Sequence, residues 1–162
     1  MLKRLDDLDC AIILQLIENS RKPFTEIAKE LLVSTGTVHQ RVRKLEKAGV
    51  INGYSLSINY DKFGYTLTVY VGIFVQTGHN AINVIKLLTA IPEVTVADLA
   101  AGTYGIFCKL RCKDTLHAKE VIFKIQDVEG VKGTETMIML EECLNDNKRL
   151  LKQIIESIKN KI

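Results

Sequence analysis

The feature that most constrains the fold is a very short connection between two predicted helices. One helical run begins at Phe24, and only Leu32 and Val33 separate it from Ser34, where the next run begins. Two short helices joined by so tight a turn cannot lie antiparallel and must cross steeply. This geometry predicts a helix-turn-helix, which presents its second helix to the major groove of DNA.

Signals at both ends of that second helix support the prediction. Ser34 can serve as the N-cap, because its hydroxyl can accept a hydrogen bond from an amide of the first turn. Val33 and Val38 occupy the staple positions that flank the cap and fix the direction in which the chain enters the helix. Gly49 ends the helix, since glycine readily takes the left-handed conformation that follows a last turn.

The side chains of this helix divide into an apolar stripe and a basic face. The stripe repeats at helical spacing and is predicted to be buried; it consists of Val38, Val42, Leu45 and Ala48. Four Lys and Arg residues stand against Glu46 alone, so the helix has a local charge of +3, equal to the net charge of the whole chain. The alternative interpretation is a solvated basic face on a small helical bundle.

The basic face offers two kinds of DNA contact. Its cations would neutralise phosphates and make the affinity depend on salt, while polar side chains near the helix N-terminus could reach base edges. The predicted DNA-binding residues are Ser34, Thr35, Gly36, Thr37, His39, Gln40, Arg41, Arg43 and Lys44.

The second half of the chain alternates between strand and helix patterns in the order β-α-β-β-α-β. Strands are predicted at 66–75, 94–101, 106–112 and 131–140, and helices at 81–91 and 116–128. This order is typical of a ferredoxin-like sandwich, in which the helices lie on one face of an antiparallel sheet. Because the other face must be covered, we expect a homodimer.

The chain is therefore predicted to be an α+β protein with two domains and two further segments. A helix-turn-helix domain of winged-helix-like type covers residues 1–53, and the ferredoxin-like βαββαβ domain covers residues 66–142. Apolar residues alternate with polar ones between them, which predicts a linker strand within residues 54–65. Residues 143–162 are predicted to form an amphipathic C-terminal helix.

Several classes of protein are not expected. No apolar run approaches the roughly 18 residues of a membrane helix, and the charged N-terminus is unlike a secretory signal, so we expect a cytoplasmic protein with reduced thiols. Cys108 and Cys112 lie in a predicted strand and are interpreted as small apolar side chains. The three histidines lie in different elements and no phosphate-binding glycine motif is present, so we predict no metal, no cofactor and no enzyme activity.

Matching motifs extend over about residues 4–142. They include Leu5-Asp6-Asp7-Leu8-Asp9, Glu26-Ile27-Ala28, the run from Val33 to Ile51, and Ala101-Gly102-Thr103-Tyr104-Gly105. On these residues the chain resembles the leucine-responsive regulatory protein/AsnC family of prokaryotic transcription regulators. Within that family, the segments 36–42, 101–109 and 134–140 are similar to asparagine-responsive members.

The resemblance implies dimers joined through the β-rich domain, commonly assembled into octamers around which DNA wraps. It also implies a site for a small amino acid at the contact between dimers, with asparagine as the suspected effector. The residues that match this site are Ala101, Gly102, Tyr104, Thr134 and Thr136. Family members often carry Asp after the turn tyrosine, where this chain has Gly105, so a basic effector such as lysine is not expected.

The leading hypothesis is a sequence-specific, DNA-binding transcription regulator whose activity a small amino acid modulates. Three alternatives remain open. The β-rich half could be a metabolite-binding module whose helical partner docks another protein, or the chain could be an enzyme of amino-acid metabolism with an appended regulatory fold. A chromatin-like architectural protein would use the same DNA-binding surfaces.

Overall fold

The computed structural model describes residues 5–146 and 148–159, and the chain forms two compact units. The first unit takes in the chain up to Leu56 together with the segment that begins at Leu144. The second unit is Ser57–Cys143. The regular elements described in the first unit are all helices, so the β-strand wing that a winged-helix-like domain would have is not among its described residues. The second unit contains the sheet.

The described residues form six α-helices and four β-strands. The helices are α1 (Asp7–Glu18), α2 (Phe24–Glu30), α3 (Thr35–Lys47), α4 (Ala81–Leu88), α5 (Thr115–Gln126) and α6 (Lys148–Lys159). The strands are β1 (Leu67–Val75), β2 (Val94–Leu99), β3 (Ile106–Cys112) and β4 (Val131–Ile138). None of the helices within the described ranges is long and apolar enough to cross a lipid bilayer.

α1 begins at a reciprocal cap. The Asp6 carboxylate accepts a hydrogen bond from the Asp9 amide at 2.8 Å, and the Asp9 carboxylate accepts one from the Asp6 amide at 3.5 Å. Two amides that the helix leaves without partners are thereby satisfied at once. Asp9 is buried although it is charged, and its carboxylate is one of the groups that later connect α1 to α3.

The turn between α2 and α3 is one residue longer than predicted. α2 ends at Glu30, so residues 31–33 form the connection. Leu32 has a φ of 55°, in the left-handed region, and is 92% exposed. The Val33 amide donates to the Ala28 carbonyl at 3.0 Å, the bond that closes a Schellman motif. The predicted turn was one residue too short, because leucine in the sequence gives no sign that it will adopt a left-handed conformation and end a helix.

α3 begins and ends as predicted. The Ser34 hydroxyl accepts a hydrogen bond from the Thr37 amide at 3.0 Å, which confirms the N-cap. Val33 and Val38 belong to one apolar cluster, as the staple predicts. Gly49 follows the last turn with a φ of 69°.

The predicted apolar stripe of α3 is buried along most of its length. Val38 and Val42 pack with Ile27 of α2, and Leu45 packs with side chains of α1. The prediction is wrong for Ala48, which is exposed because it is the C-cap of the helix and lies past the last packed turn.

The second unit is a four-stranded antiparallel sheet in the order β2-β3-β1-β4. α4 and α5 bury Val69, Val71 and Ile73 of β1 on one face of the sheet, as the ferredoxin-like prediction requires. Cys108 and Cys112 of β3 are buried in the same core, and this burial raises the pKa of both thiols to about 11. They are therefore small apolar side chains, as predicted.

The ends of several elements differ from the predictions by a few residues. α4 was predicted to continue to Ile91 but ends at Leu88, because Thr89 caps it and donates its hydroxyl hydrogen bond to the Lys86 carbonyl at 2.6 Å. β2 ends at Leu99 rather than at residue 101, and β4 ends at Ile138 rather than at residue 140. Thus the order of elements is confirmed, whereas their ends are less well predicted.

The predicted linker strand within residues 54–65 is not formed. Residues 54–59 have no regular secondary structure, and Tyr60–Phe63 form a short 3₁₀ helix that the Asn59 side chain caps. Alternating apolar residues make a strand only where a neighbouring strand supplies hydrogen bonds, and none does so here. The helix predicted for residues 143–162 is present as α6 but begins only at Lys148, whose amide donates a hydrogen bond to the Asp146 carboxylate at 2.9 Å, and residues 143–146 have no regular secondary structure. The last apolar position of that prediction, Ile162, lies outside the described residues.

Candidate nucleic-acid interface and effector site

The predicted DNA-binding residues lie along one capped helix, α3, and most of them are accessible. Exposed positions are Ser34, Gly36, His39, Gln40, Arg43 and Lys44, and half-buried positions are Thr35, Thr37 and Arg41. The Ser34 and Thr37 hydroxyl oxygens lie 2.9 Å apart, so the two side chains at the start of the helix also bond to each other. This surface presents hydroxyl, amide, imidazole and cationic groups within four turns.

Arg41 differs from the other cations because two carboxylates of α1 hold it. Its guanidinium donates to Asp6 and, at 3.1 Å, to Asp9, whose side chain is only 2% exposed. The pKa of Asp6 is lowered, first by the hydrogen bond from the Asp9 amide and then by that from Arg41. Arg41 therefore joins α3 to the start of α1, and its own pKa is raised by the two carboxylates.

Besides Lys47, which is exposed on the last turn of the helix, Arg43 and Lys44 are the cations of α3 that remain open to a partner. Arg43 is exposed and makes no ion pair with any of the described residues. The Lys44 ammonium lies 3.8 Å from the Asp9 carboxylate, but its side chain is 44% exposed. These two residues can present positive charge to a phosphate without losing an internal hydrogen bond.

His39 lies at the junction of the two crossing helices. Its ring packs nearly perpendicular to the Phe24 ring of α2, with the ring centroids 4.8 Å apart, while the residue as a whole stays exposed. Packing against Phe24 thus orients the imidazole, and its exposed part is available to a groove of DNA.

The loop that joins β2 to β3 contains three of the five predicted effector residues. Ala101 and Gly102 are exposed, and Gly102 has a φ of 153° that disfavours side chains. The ring of Tyr104 covers Gly72 of β1, where a Cβ would come within 2.6 Å of it. The Tyr104 hydroxyl donates to the Glu135 carboxylate at 2.7 Å, and this bond raises the pKa of the tyrosine.

The other two predicted effector residues lie on the edge strand β4, on the opposite face of the sheet. Thr134 and Thr136 pair with Ile73 and Val71, whose side chains point into the helix-covered core. The Thr134 hydroxyl accepts a hydrogen bond from the Gln126 amide at 2.8 Å. One chain therefore does not bring Tyr104 together with the two threonines.

Two polar residues at this site, Glu135 and Gln126, were not predicted. Strand alternation alone could have placed Glu135 on the face opposite Thr134 and Thr136, because side chains change face at every residue. The contact of Gln126 with Thr134 depends on how α5 packs, and its sequence position gives no signal. The described residues contain no group of side chains arranged to hold a metal ion.

Comparisons with known families give one match in each unit of the chain, although the second match continues five residues past Cys143. An AsnC-type helix-turn-helix domain matches residues 5–46, and an Lrp/AsnC ligand binding domain matches residues 68–148. The chain is 33% identical over 138 residues to the regulatory protein AsnC of Escherichia coli K12, which covers 85% of this chain and 91% of that protein. An uncharacterised helix-turn-helix transcriptional regulator of Pyrococcus furiosus is 36% identical over 142 residues, covering 88% and 95%.

Solved structures agree with these relationships. The structure of Escherichia coli AsnC matches with a TM-score of 0.82 and 31% identity, over 88% of this chain and 97% of that one. The feast or famine regulatory protein of Mycobacterium tuberculosis, solved in complex with L-methionine, matches with a TM-score of 0.81 and 27% identity, over 88% and 97%. Both matches extend over 88% of this chain, so both structures share its fold.

Proposed function

The chain belongs to the Lrp/AsnC family of transcription regulators, and we propose that it binds double-stranded DNA through the exposed face of α3 under the control of a small amino acid. The family supplies the class of function: a helix-turn-helix domain for DNA and a second domain for an amino-acid ligand. A regulator that binds chromosomal DNA acts in the cytoplasm, which is the localisation we propose.

The observation that carries the DNA proposal is that the cations of α3 differ in exposure and in ion pairing. Arg43 and Lys44 are exposed and contact phosphates, whereas Arg41 is held by Asp6 and Asp9 and keeps the helix in place. Base edges are read by the polar residues near the helix N-terminus, where a recognition helix enters the major groove. These are Thr35, Thr37, His39 and Gln40.

The salt dependence of binding tests this assignment. Arg43→Gln removes one phosphate contact, so we expect weaker binding and a slope of log affinity against log salt that is about one unit shallower. Lys124→Gln, the loss of one exposed cation on α5, is the matched control and leaves the slope unchanged. Equal slopes for wild type, Arg43→Gln and Lys44→Gln would exclude phosphate binding by these two residues and contradict the assignment.

Specific and non-specific binding are separated in the same assay. A regulator discriminates its own site from random DNA by several orders of magnitude at fixed salt, whereas an architectural protein does not. We expect a duplex selected by the protein from a random pool to compete far better than unselected DNA. Equal competition would favour the chromatin-like alternative.

For the effector, we propose a site shared between copies of the chain, with asparagine as the ligand. Exposed backbone around Ala101 and Gly102 can offer amides to a carboxylate, and the hydroxyls of Thr134 and Thr136 can accept from an ammonium. Because Tyr104 and these threonines lie on opposite faces of one sheet, the loop of one copy would complete the β4 edge of another. Such a site supports the proposed assembly of dimers into an octamer.

A shared site also explains how an amino acid would change the output. An effector shifts an equilibrium only when it binds one arrangement of the subunits more tightly than another. A ligand enclosed between copies meets this condition, because its contacts depend on how the copies are arranged. Light scattering with and without asparagine is expected to show different populations of dimer and octamer.

Ligand binding itself is tested by heating the protein with each of the twenty amino acids. A ligand that binds only the folded state raises the melting temperature, and we expect asparagine to raise it most. In calorimetry, Thr136→Val weakens binding because it removes a hydroxyl at nearly constant volume, and the equivalent change Thr115→Val on α5 does not. Unchanged affinity in Thr136→Val would remove β4 from the site.

A further inference from the structure

The C-terminal helix α6 has no role in the function proposed so far. The two family matches cover residues 5–46 and 68–148, so only the first residue of α6 falls within either of them. What the family shares therefore does not account for this helix. Because α6 belongs to the same compact unit as α1, α2 and α3, its contacts within that unit show what it can do.

α6 buries an isoleucine in the core of the DNA-binding unit. Ile155 is 2% exposed and packs in one apolar cluster with Cys10 and Ile13 of α1 and with Leu45 of α3. Ile158, one turn further along α6, packs against the same cluster. α6 is therefore a fourth helix of this unit, and it packs where α1 and α3 meet.

Two lysines attach the start of α6 to the end of α1. The Lys152 ammonium pairs with the Glu18 carboxylate, and the Lys148 ammonium donates to the Glu18 main-chain carbonyl at 3.4 Å. α1 has no basic residue in its own last turn, so these lysines supply the positive charge that stabilises its carbonyl end. Since Ile155 contacts the middle of α1, the two helices run antiparallel.

Leu45 is the residue through which this packing reaches the DNA-binding helix. Its side chain is buried, although it directly follows the exposed cation Lys44. Arg41, one turn earlier, is attached to α1 by its ion pairs. Val38, near the start of α3, belongs to a different cluster with Ile27 of α2, and none of the described residues of α6 takes part in it. α6 therefore supports the second half of α3 rather than its start.

We propose that Ile155 is a positioning residue for DNA recognition, because docked α6 sets the tilt of α3 through Leu45. Sequence-specific binding needs the polar side chains at the start of α3 and the cations further along it to fit one duplex together, within roughly 0.5 Å. Non-specific attraction to phosphates tolerates a change of tilt. Undocking of α6 therefore costs more discrimination than general affinity. The inference rests on the proposed DNA-binding function.

Two neighbouring isoleucines provide matched variants of the full chain. Ile155→Asn places an amide in the apolar cluster and undocks α6, whereas Ile154→Asn makes the same change at a residue that is 43% exposed. We expect Ile155→Asn to bind a selected duplex about tenfold more weakly, a loss comparable with one mismatched base pair, and to bind unselected DNA within about threefold of wild type. Ile154→Asn is expected to behave as wild type with both duplexes.

The ratio of the two affinities distinguishes positioning from a merely structural role. A defect that only lowers the folded fraction weakens both duplexes by the same factor, so an unchanged ratio in Ile155→Asn would overturn the positioning role. A wild-type protein that does not itself prefer the selected duplex would instead contradict the proposed DNA-binding function.

The Cys10 thiol measures docking independently of DNA. It is fully buried in the cluster that contains Ile155, and the exposed thiol is removed by Cys143→Ser. Two further thiols are buried in the sheet unit and become reactive only when that unit opens; they are Cys108 and Cys112. Labelling of Cys10 by a thiol reagent, without labelling of these two, therefore measures opening of the cluster beneath α6.

Ile155→Ala keeps the test decisive where Ile155→Asn does not fold, because it removes packing without adding a polar group. We expect faster labelling of Cys10 together with a smaller fall in the affinity ratio. Unchanged labelling would overturn the docking, and faster labelling with an unchanged ratio would overturn the positioning role.

A charge exchange tests the attachment of α6 with the apolar core intact. Lys152→Glu places two carboxylates together at the end of α1, so we expect Cys10 to be labelled several-fold faster. Adding Glu18→Lys reverses the pair and is expected to restore the wild-type rate. No change in Lys152→Glu, or no recovery in the double variant, would contradict the attachment through Glu18.

Discussion

At the scale of single residues, Leu32 is the clearest example of a residue in an unfavourable backbone conformation. It lies in the left-handed region at the turn of the helix-turn-helix, and it is almost fully exposed. A left-handed residue with a Cβ costs about 1–2 kcal/mol, whereas glycine adopts the same backbone without that strain. The residue therefore gives up stability at this turn without gaining buried contacts.

This predicts that Leu32→Gly stabilises the protein by about 1 kcal/mol, after subtraction of the extra freedom that glycine has in the unfolded chain. Urea unfolding monitored by circular dichroism measures the change. Leu32→Ala is the control, since it removes the exposed side chain but keeps the Cβ. A glycine variant no more stable than the alanine variant would show that Leu32 is not strained.

Ser34 is a second residue at which two roles can be told apart. Its hydroxyl caps α3, and it is also among the predicted DNA-binding residues. Ser34→Ala is expected to cost about 1 kcal/mol of stability, because the Thr37 amide loses its acceptor. Ser34→Asp restores the cap and places a negative charge at a helix N-terminus, so stability returns to about that of wild type.

The order of Ser34→Ala and Ser34→Asp is expected to be reversed when DNA affinity is measured instead of stability. A carboxylate at position 34 repels phosphate, so Ser34→Asp is expected to bind DNA more weakly than Ser34→Ala despite its greater stability. Fluorescence anisotropy with a labelled duplex provides the comparison. If Ser34→Asp binds as tightly as wild type, residue 34 lies away from the DNA backbone.

At the scale of elements, the link between α1 and α3 is an ionic one with a defined pH dependence. In the folded protein the Asp6 carboxyl has a pKa below its ordinary value of 3.8, because the Asp9 amide and Arg41 stabilise its charged form. The unfolded chain binds the proton more readily. This contribution to stability is therefore complete above pH 3.8 and is lost as the pH falls below that value through the folded pKa.

Asp6→Asn is expected to flatten the acid limb of the stability curve. Asparagine is also a good N-cap, so the helix start is kept while the titration is removed. Urea unfolding from neutral pH to below pH 3.8 gives the curve for wild type, for Asp6→Asn and for the adjacent control Asp7→Asn. An acid limb as steep in Asp6→Asn as in wild type would mean that Asp6 does not contribute to it.

Elements specified by local interactions could be predicted from the sequence. The cap at Ser34, the staple and Gly49 all act within one or two turns, and α3 has the predicted bounds at its start and end. The order of strands and helices in the second unit follows in the same way from alternation and helical spacing. The sequence pattern does not show which side-chain hydrogen bond ends a helix. The bond from the Thr89 hydroxyl to the Lys86 carbonyl, for example, accompanies the end of α4 at Leu88.

Interactions between distant residues were the ones that sequence reasoning missed. Arg41 was predicted only as a DNA contact, because nothing in the helix pattern shows that Asp6 and Asp9 reach it from 35 and 32 positions away. The docking of α6 on α1 is of the same kind. The linker at 54–65 has the alternation of a strand, but it pairs with no strand among residues 5–146 and 148–159.

At the scale of the whole molecule, the two halves of the proposed effector site do not meet in one chain. Tyr104 and Glu135 lie on one face of the sheet, and Thr134 and Thr136 on the other. The sequence could match these residues to a family pattern, but the identity of the ligand depends on how copies assemble. Equal mixtures of Tyr104→Ala and Thr136→Val chains are therefore expected to regain part of the asparagine binding that each variant loses.

The mixing experiment distinguishes a site shared between copies from a site within one chain. In a site shared between copies, a mixed assembly contains some sites with an intact loop and an intact β4 edge. If the site lay within one chain, every chain in the mixture would carry one defect, and calorimetry would show no recovery of binding.

The central claim is that the exposed face of α3 lies against DNA, and a tethered cleavage reagent tests it most directly. Cys143, the exposed cysteine, is replaced by serine, and an iron chelate is attached at Lys47→Cys on the last turn of α3. The same chelate at Lys124→Cys on α5 measures untargeted cutting. We expect strong cuts from position 47 inside the bound segment of a selected duplex. Bound protein that cuts no more strongly from position 47 than from position 124 would contradict the claim.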